Sequence, residues 1–554
     1  MTFRVLFPVL AAALAAAQTA PPTTGTSSIE GTVVNDATNE PVKKAQVSLF
    51  GPVPGKQPMA VTDASGSFAF HKLPAGTYTV NATKEGFDQN RAMMLGDNQK
   101  QVTVTADQHK SGVELRLPPT GAISGRLTDE NGDPAPNCTV GAQDASSLGG
   151  ASWQQRGGGQ TQTDDHGEYR IPNLPAGRYV VYQHCYQTLA APHGFMEHGD
   201  PLTPLWAWVP GLYGGAATGS GASTVAVHGG EEVRGVDFRL KTTNAFSVPI
   251  ALVPDNPGLD LRNVSVRLMP RDPAMAQAAQ YRVGRMNNGG TWRAAGVVPG
   301  SYVAIADFQQ GESRWHGETP VEVGDTPPEL VNLPLTAAMT LSGDLEVESG
   351  NAPASGPSGP PGMVFLTPLD SSRGGPFPHA QSGADGRFTI EGVIPGRYQL
   401  QVMGPVNSIQ SVTFGGHEVS PRAIDIGAGA GGSLHVVISV KQVALQVSLS
   451  GLQADRPAWV FLLPKGIPEP GPGSNPPMSQ ALQSPLTITA APGEYVVNAI
   501  ECAQPWPLLN SMAGFHAIAS LGKAVEVKDG ENASVTLDVM GREDLKRELD
   551  RELE

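Results

Sequence analysis

The sequence predicts an all-β chain, a tandem array of five Greek-key β-sandwiches ending in a short C-terminal helix. Three observations predict it. A Pro-x-Gly-x-Tyr phrase, or its shorter form Pro-Gly-x-Tyr, recurs with its tyrosine at Tyr78, Tyr179, Tyr302, Tyr398 and Tyr495. An alternating apolar stretch precedes each copy: Phe68-x-Phe70, Tyr169-x-Ile171, Trp292-x-Ala294, Phe388-x-Ile390 and Leu486-x-Ile488. Alternation of this kind buries one face of a strand and wets the other. The 66 Gly and 49 Pro among 554 residues suit many short strands joined by turns.

Residues 1–20 read as a cleaved export signal. Arg4 precedes an apolar stretch from Val5 to Ala17, broken by Pro8, and cleavage after Ala17 or Ala20 suits the small-residue rule. The stretch is too short to span a bilayer comfortably, no Cys follows it for lipid attachment, and no later segment spans. Five units follow, at 28–118, 119–241, 242–336, 337–441 and 442–541. Each opens on a strand such as Ile29-Glu-Gly31-Thr-Val33, Ile123-Ser-Gly125, Phe246-Ser-Val248, Leu341-Ser-Gly343 or Leu445-Gln-Val447. Each closes on a strand such as Val113-Glu-Leu115-Arg-Leu117 or Val535-Thr-Leu537. Asp63-x-x-Gly66 and Asp164-x-x-Gly167 suit type I turns, with the Asp capping the backbone and the Gly taking the exit conformation. Pro-x-Gly then forces a tight corner, and the tyrosine enters the next strand with its ring inward. A buried phenol needs a hydrogen-bond partner, so each hydroxyl is expected to meet a nearby backbone group, as in the tyrosine corner of other sandwiches.

Residues 542–554 form a charged helical tail. Leu545, Leu549 and Leu553 make one stripe, and Glu543–Arg547 and Lys546–Asp550 are i,i+4 pairs. So short a helix is marginal alone, leaving a solvated tail or a docked one. The net charge of −15 and the absence of a Lys/Arg cluster argue against nucleic acid as a partner. Of the three cysteines, Cys138 and Cys185 fall in one unit on two different strands. They either bridge its sandwich or stay as buried thiols, and Cys502 is expected to be buried.

The stretches "IEGTVVNDATNEPVKKAQVSLF" and "TDASGSFAFHKLPAGTYTV" resemble a carboxypeptidase regulatory-like domain. That resemblance implies a transthyretin-like (prealbumin-like) sandwich, close in shape to Cna B-type, Ig-like and starch-binding-like domains. The second unit, from "GAISGRLTDENGDPAPNCTV" to "EEVRGVDFRL", and "VTFGGHEVSPRAIDI" in the fourth are similar to arrays in secreted or cell-envelope proteins of soil bacteria such as acidobacteria. It implies a non-catalytic companion, spacer or binding module, and fold analogy alone does not choose among these.

Candidate chemistry is sparse. His228-Gly-Gly-Glu231 imitates a His-x-x-Glu zinc pair but lies in a turn, with no room for an α/β catalytic frame. His184, His193 and His198, with Glu197 and Asp200, read as residues of a loop insertion rather than metal ligands. Asp129-Glu-Asn131-Gly-Asp133 lacks the Gly and Glu that an EF-hand requires at its sixth and twelfth positions, and reads as a hairpin turn. Lys43 and Lys44 are poorly placed for the Lys–Asn bond of Cna B-type domains. No nucleophile elbow, His-Glu-x-x-His or phosphate loop occurs. The expectation is therefore no cofactor, no metal and no enzymatic activity.

The best binding candidate is the insertion at 186–228, with Phe195, Trp206, Trp208 and Tyr213 in a chain only 6% aromatic. Indoles can stack on the apolar face of a sugar, though the same rings could instead cap the sandwich. Trp315 and Trp459 are expected in cores. The functional expectation is a secreted, monomeric, non-catalytic binding or spacer protein of the cell envelope, with glycan as the expected ligand class. The alternative is an accessory subunit that joins an envelope enzyme or transport protein through its C-terminal tail.

Overall fold

The computed structural model describes residues 25–551, apart from 54, 146–157, 186–187, 190–204, 216–220, 277, 280, 282, 287–290, 312, 348–361, 370–376, 404–407, 428–431, 440, 454–456, 466–475, 503, 510 and 532. The export signal expected at residues 1–20 lies outside the described residues. The chain forms two compact units. One holds the chain through Lys84 together with Asp97–Leu117, and the other holds Glu85–Gly96 together with Pro118 onward.

The first unit is a single β-sandwich. Its opening strand, Ser27–Asn35, lies between Ser67–Leu73, antiparallel, and His109–Leu117, parallel. The facing sheet runs Met59–Val61, Gln46–Phe50, Gly76–Thr83, Gln99–Val104. Alternate residues of both sheets, among them Ile29, Val33, Val47, Leu49, Phe68, Phe70, Tyr78 and Leu115, fill the space between.

The second unit repeats that plan four times. The opening strands are Gly121–Thr128, Thr242–Pro254, Met339–Val347 and Val443–Ser450. Each pairs antiparallel with the strand before its corner and parallel with its closing strand. In every case the tyrosine strand lies beside the module's second strand; in modules two and four these form a separate sheet, whereas in modules three and five the closing strand pairs into both layers and joins them. The four modules bury four separate hydrophobic clusters, centred on residues such as Ile123 and Tyr179, Val248 and Tyr302, Leu345 and Tyr398, and Val447 and Tyr495. The chain is thus an all-β tandem array of five sandwiches.

Two features depart from fully independent modules. The first is at the border between modules two and three. Leu205–Trp208, from the insertion of the second module, pairs antiparallel with Thr242–Ala245, the start of the third module's opening strand. A sheet therefore crosses residue 241, although the two cores stay distinct. In the third module Trp292 faces Ile250, and Ala294 faces Val248.

The second is a helical layer on the outer face of the fifth module. Its strand Ala458–Pro464 is apolar on both faces. Val460 and Leu462 enter the sandwich, while Phe461 and Leu463 face outward into a second apolar cluster. Four helices contribute to that cluster: α1 (Gln89–Leu95), α2 (Trp506–Leu509), α3 (Met512–Ser520) and α4 (Arg542–Arg551). Trp459, expected in the sandwich core, packs against this outer cluster instead, because its odd-numbered neighbours on the strand face the same way. The tail is docked, not solvated: Leu545 is 0% and Leu549 2% exposed. Leu545 and Leu549 of its apolar stripe are covered by its own chain. Leu553 lies outside the described residues.

Candidate functional site

The aromatic insertion is built from short strands. Thr188–Leu189 pairs with Leu205–Trp208, which in turn pairs with the third module's opening strand. Gly211–Leu212 returns the chain to the tyrosine strand of the second module, Gly177–His184. A hydrogen bond fixes the return, the Gln183 side-chain amide donating to the Val209 carbonyl at 2.9 Å. Period-two alternation divides the strand. Ala207 points inward and is buried with Ala245 and Val298. Trp206 and Trp208 point the other way. Trp208 and Tyr213 both pack against the second module's core, Tyr213 standing edge-on to Phe238 at 6.0 Å. Trp206 is 53% exposed. Phe195 lies outside the described residues. Of the four aromatic candidates, then, two cap the sandwich and one presents its ring to solvent.

Cross-strand pairing gives Trp206 a polar neighbour. Its Cα partner is the half-buried Asn244 on the adjoining strand. Residues directly opposed in an antiparallel pair hold their Cβ atoms about 4.5–5.5 Å apart. The indole and a carboxamide that can both donate and accept thus leave the same face of the sheet from opposed positions. Nothing in the sequence put Asn244 in this place, because the pairing spans a module border.

The insertion is anchored at its base by a disulfide. Cys138 and Cys185 are bonded, with S–S 1.94 Å and Cα–Cα 4.4 Å. The bond does not join the two layers of the sandwich, as a bridge across it would. Thr139 pairs with His184, so the cysteines sit just past the end of two neighbouring strands of one sheet. Gly141 makes room on that sheet, since a Cβ there would lie 2.2 Å from the Tyr182 ring. His184 is buried, stacks parallel to Tyr182 at 6.5 Å, and burial pushes its pKa down. His193, Glu197, His198 and Asp200 lie outside the described residues.

The five corner tyrosines are buried, and each hydroxyl donates to the carbonyl four residues upstream. The acceptors are Pro74 at 2.7 Å, Pro175 at 2.7 Å, Val298 at 2.8 Å, Ile394 at 2.6 Å and Ala491 at 2.9 Å. Burial raises the phenol pKa of Tyr179, Tyr302 and Tyr495. These groups are structural donors and have no exposed reacting atom.

The remaining polar motifs are turns. The Glu231 carboxylate accepts the His228 backbone N–H at 3.1 Å, and the Glu231 N–H donates to the His228 carbonyl. Asp129 accepts from the backbone of Asn131 and Asp133, both at 2.8 Å. Asp164, Asp165 and His166 form an exposed acidic group, but Asp164 already accepts from the backbone of His166 and Glu168. Carboxylates used in this way serve the turn geometry.

Residues 28–118 and 122–185 match the carboxypeptidase regulatory-like domain family. No curated protein matches the chain. Among solved structures, the chain is similar to the Bacillus anthracis TIE protein at 14% identity, over 56% of this chain and 51% of that one, with TM-score 0.17. It is also similar to GBS52, the minor pilin of Streptococcus agalactiae, at 13% identity, over 39% and 97% of the two chains, TM-score 0.21. A third is BcpA, the major pilin subunit of Bacillus cereus, at 12% identity, over 58% and 98%, TM-score 0.15. Among the described residues no helix is long and apolar enough to cross a membrane.

Proposed function

We propose that this chain is an exported, non-catalytic array that spaces and binds at the cell envelope, and that its ligand is a glycan held at Trp206. One observation carries the reading. Trp206 presents an indole at 53% exposure from a strand paired on both sides, with Asn244 opposite. A flat apolar ring beside an amide suits a saccharide, which offers an apolar C–H face rimmed by hydroxyls. The disulfide at the base of the insertion supports the same reading, because it holds the platform on rigid strands. Similarity of the first two modules to a regulatory-like, non-catalytic domain is consistent with the coarse assignment.

A glycan array followed by titration calorimetry tests it. The native protein is expected to retain at least one saccharide class, and Trp206→Ala to weaken it about tenfold or more, as loss of a stacking platform does. Asn244→Ala is expected to weaken it less. Trp208→Ala is expected to lower thermal stability, since that ring packs on the core. Retention of no saccharide by the native chain, or equal binding by Trp206→Ala, would overturn the assignment.

A further inference from the structure

We propose that residues 85–96 are a clasp. On this reading α1 closes the helical layer of the fifth module and opens as a unit, and the buried thiol of Cys502 reports the opening. The inference does not depend on the glycan reading.

The starting point is that α1 cannot hold itself. It has seven residues, and isolated helices of that length are not stable in water. Its ends are well capped. The Asp88 carboxylate accepts the Arg91 backbone N–H at 3.0 Å, and Gly96 takes the left-handed conformation at φ 70°. Caps alone do not supply the missing stability, which comes from docking. Met94 and Leu95 are buried in the cluster that also holds Phe461, Leu508, Phe515, Ile518, Leu545 and Leu549. Arg91 reaches across to α4 and donates to Asp550 at 2.5 Å, the guanidinium largely buried and the carboxylate half exposed.

The same short segment is held to the chain that leads into the second module. The Asp88 N–H donates to the Pro118 carbonyl at 2.8 Å, and the Thr120 N–H donates to the Gly86 carbonyl at 3.0 Å. Twelve residues therefore touch both the linker at 118–120 and a layer built from residues 461–549. Their hold on the layer is a few apolar side chains and a charge pair, which places α1 at the weakly held end of the structure. Release would uncover an apolar surface that α2, α3 and α4 leave unfinished. The elements α1 packs against, α2 and α4, would lose part of their cover, and this would loosen the cluster in which Cys502 is buried.

Cys502 makes the opening measurable. It is the free cysteine of the chain, it is buried in this cluster, and burial pushes its thiol well above the usual range. The full-length protein with its disulfide intact is labelled with a maleimide and the rate followed by mass spectrometry. Native protein is expected to label slowly. Met94→Asp and Leu95→Asp are each expected to raise the rate about tenfold or more, as local opening becomes easier. Arg91→Glu is expected to raise it as well, and Arg91→Glu with Asp550→Arg to bring it back to within about twofold of native. The charge swap keeps the test decisive if an apolar variant unfolds the module. Native-like labelling in Met94→Asp and Leu95→Asp, or a charge swap that fails to restore protection, would overturn the clasp.

Discussion

Three of the five opening strands place a glycine opposite the aromatic residue of the neighbouring strand: Gly31 with Phe68, Gly125 with Tyr169, and Gly343 with Phe388. A Cβ on Gly343 would lie 2.3 Å from the Phe388 ring and 2.4 Å from the Leu434 carbonyl oxygen. At Gly31 it would lie 2.0 Å from the carbonyl of Val113 in the closing strand, and at Gly125 2.1 Å from that of Val236, between the closing segments Glu232–Val233 and Phe238–Arg239. The modules without this glycine use smaller or differently shaped pairs, Val447 with Leu486, or the broad Ile250 with Trp292. Gly343→Ala is therefore expected to cost about 2–3 kcal/mol by overpacking, read from urea denaturation. Tyr398→Phe, which strands the Ile394 carbonyl, is expected to cost about 1–2 kcal/mol in the same measurement. Replacing Cys138 and Cys185 together by Ala removes a link across 47 residues and is expected to cost about 2–4 kcal/mol. The tyrosines, and a nearby backbone partner for each hydroxyl, could be read from the sequence, because the corner has a fixed local geometry; that the acceptor is the carbonyl four residues upstream comes from the structure. The partners of Trp206 and Cys502 could not, because nothing local specifies them.

At the scale of the element, the strands and the C-terminal helix were legible, and α1, α2 and α3 were not. Alternation names a strand that is wet on one side, and most strands here are of that kind. Ala458–Pro464 is apolar on both faces, which signals a second covering layer, yet the cover itself is hard to see. Residues 506–520 are apolar all round, so no amphipathic period marks them. The close crossing of α2 and α3 depends on Gly514, whose Cβ would lie 2.5 Å from the Leu508 carbonyl oxygen. One element carries a pH dependence. On the outer face of the third module His316 meets Asp307 at 2.9 Å, and Arg267 meets the same carboxylate at 2.6 Å. Burial disfavours the charged imidazole, but the carboxylates of Asp307 and Glu318 outweigh it and raise its pKa above 6.5. Burial likewise opposes ionisation of Asp307, and His316 and Arg267 outweigh it, lowering its pKa below 3.8. The imidazolium's contribution is complete below 6.5 and disappears as pH rises through its raised value. The carboxylate's contribution is complete above 3.8 and disappears as pH falls through its lowered value. His316→Gln is expected to flatten the loss of stability on the alkaline side, measured as thermal midpoint against pH.

For the whole molecule, separate hydrophobic clusters predict separate melting. Calorimetry of the intact chain is expected to resolve more than one transition, and a single two-state peak would show the modules to be coupled far more tightly than their cores are. The module count follows from the repeated phrase, and the pairing of opening with closing strands emerges only in the structure. Nor do the links between modules follow from that phrase, since each rests on a few residues far apart in sequence.

Every module begins and ends on adjacent parallel strands. Ser28–Asn35 lies beside His109–Leu117, Gly343–Val347 beside Leu434–Ile438, and Leu445–Ser450 beside Ala533–Asp538. Tension applied to the two ends of such a module drags these neighbours past each other along their length. Their cross-links are then loaded all at once instead of one after another, the arrangement that resists stretching best, so a tether made of these repeats would yield in abrupt steps under a pulling probe.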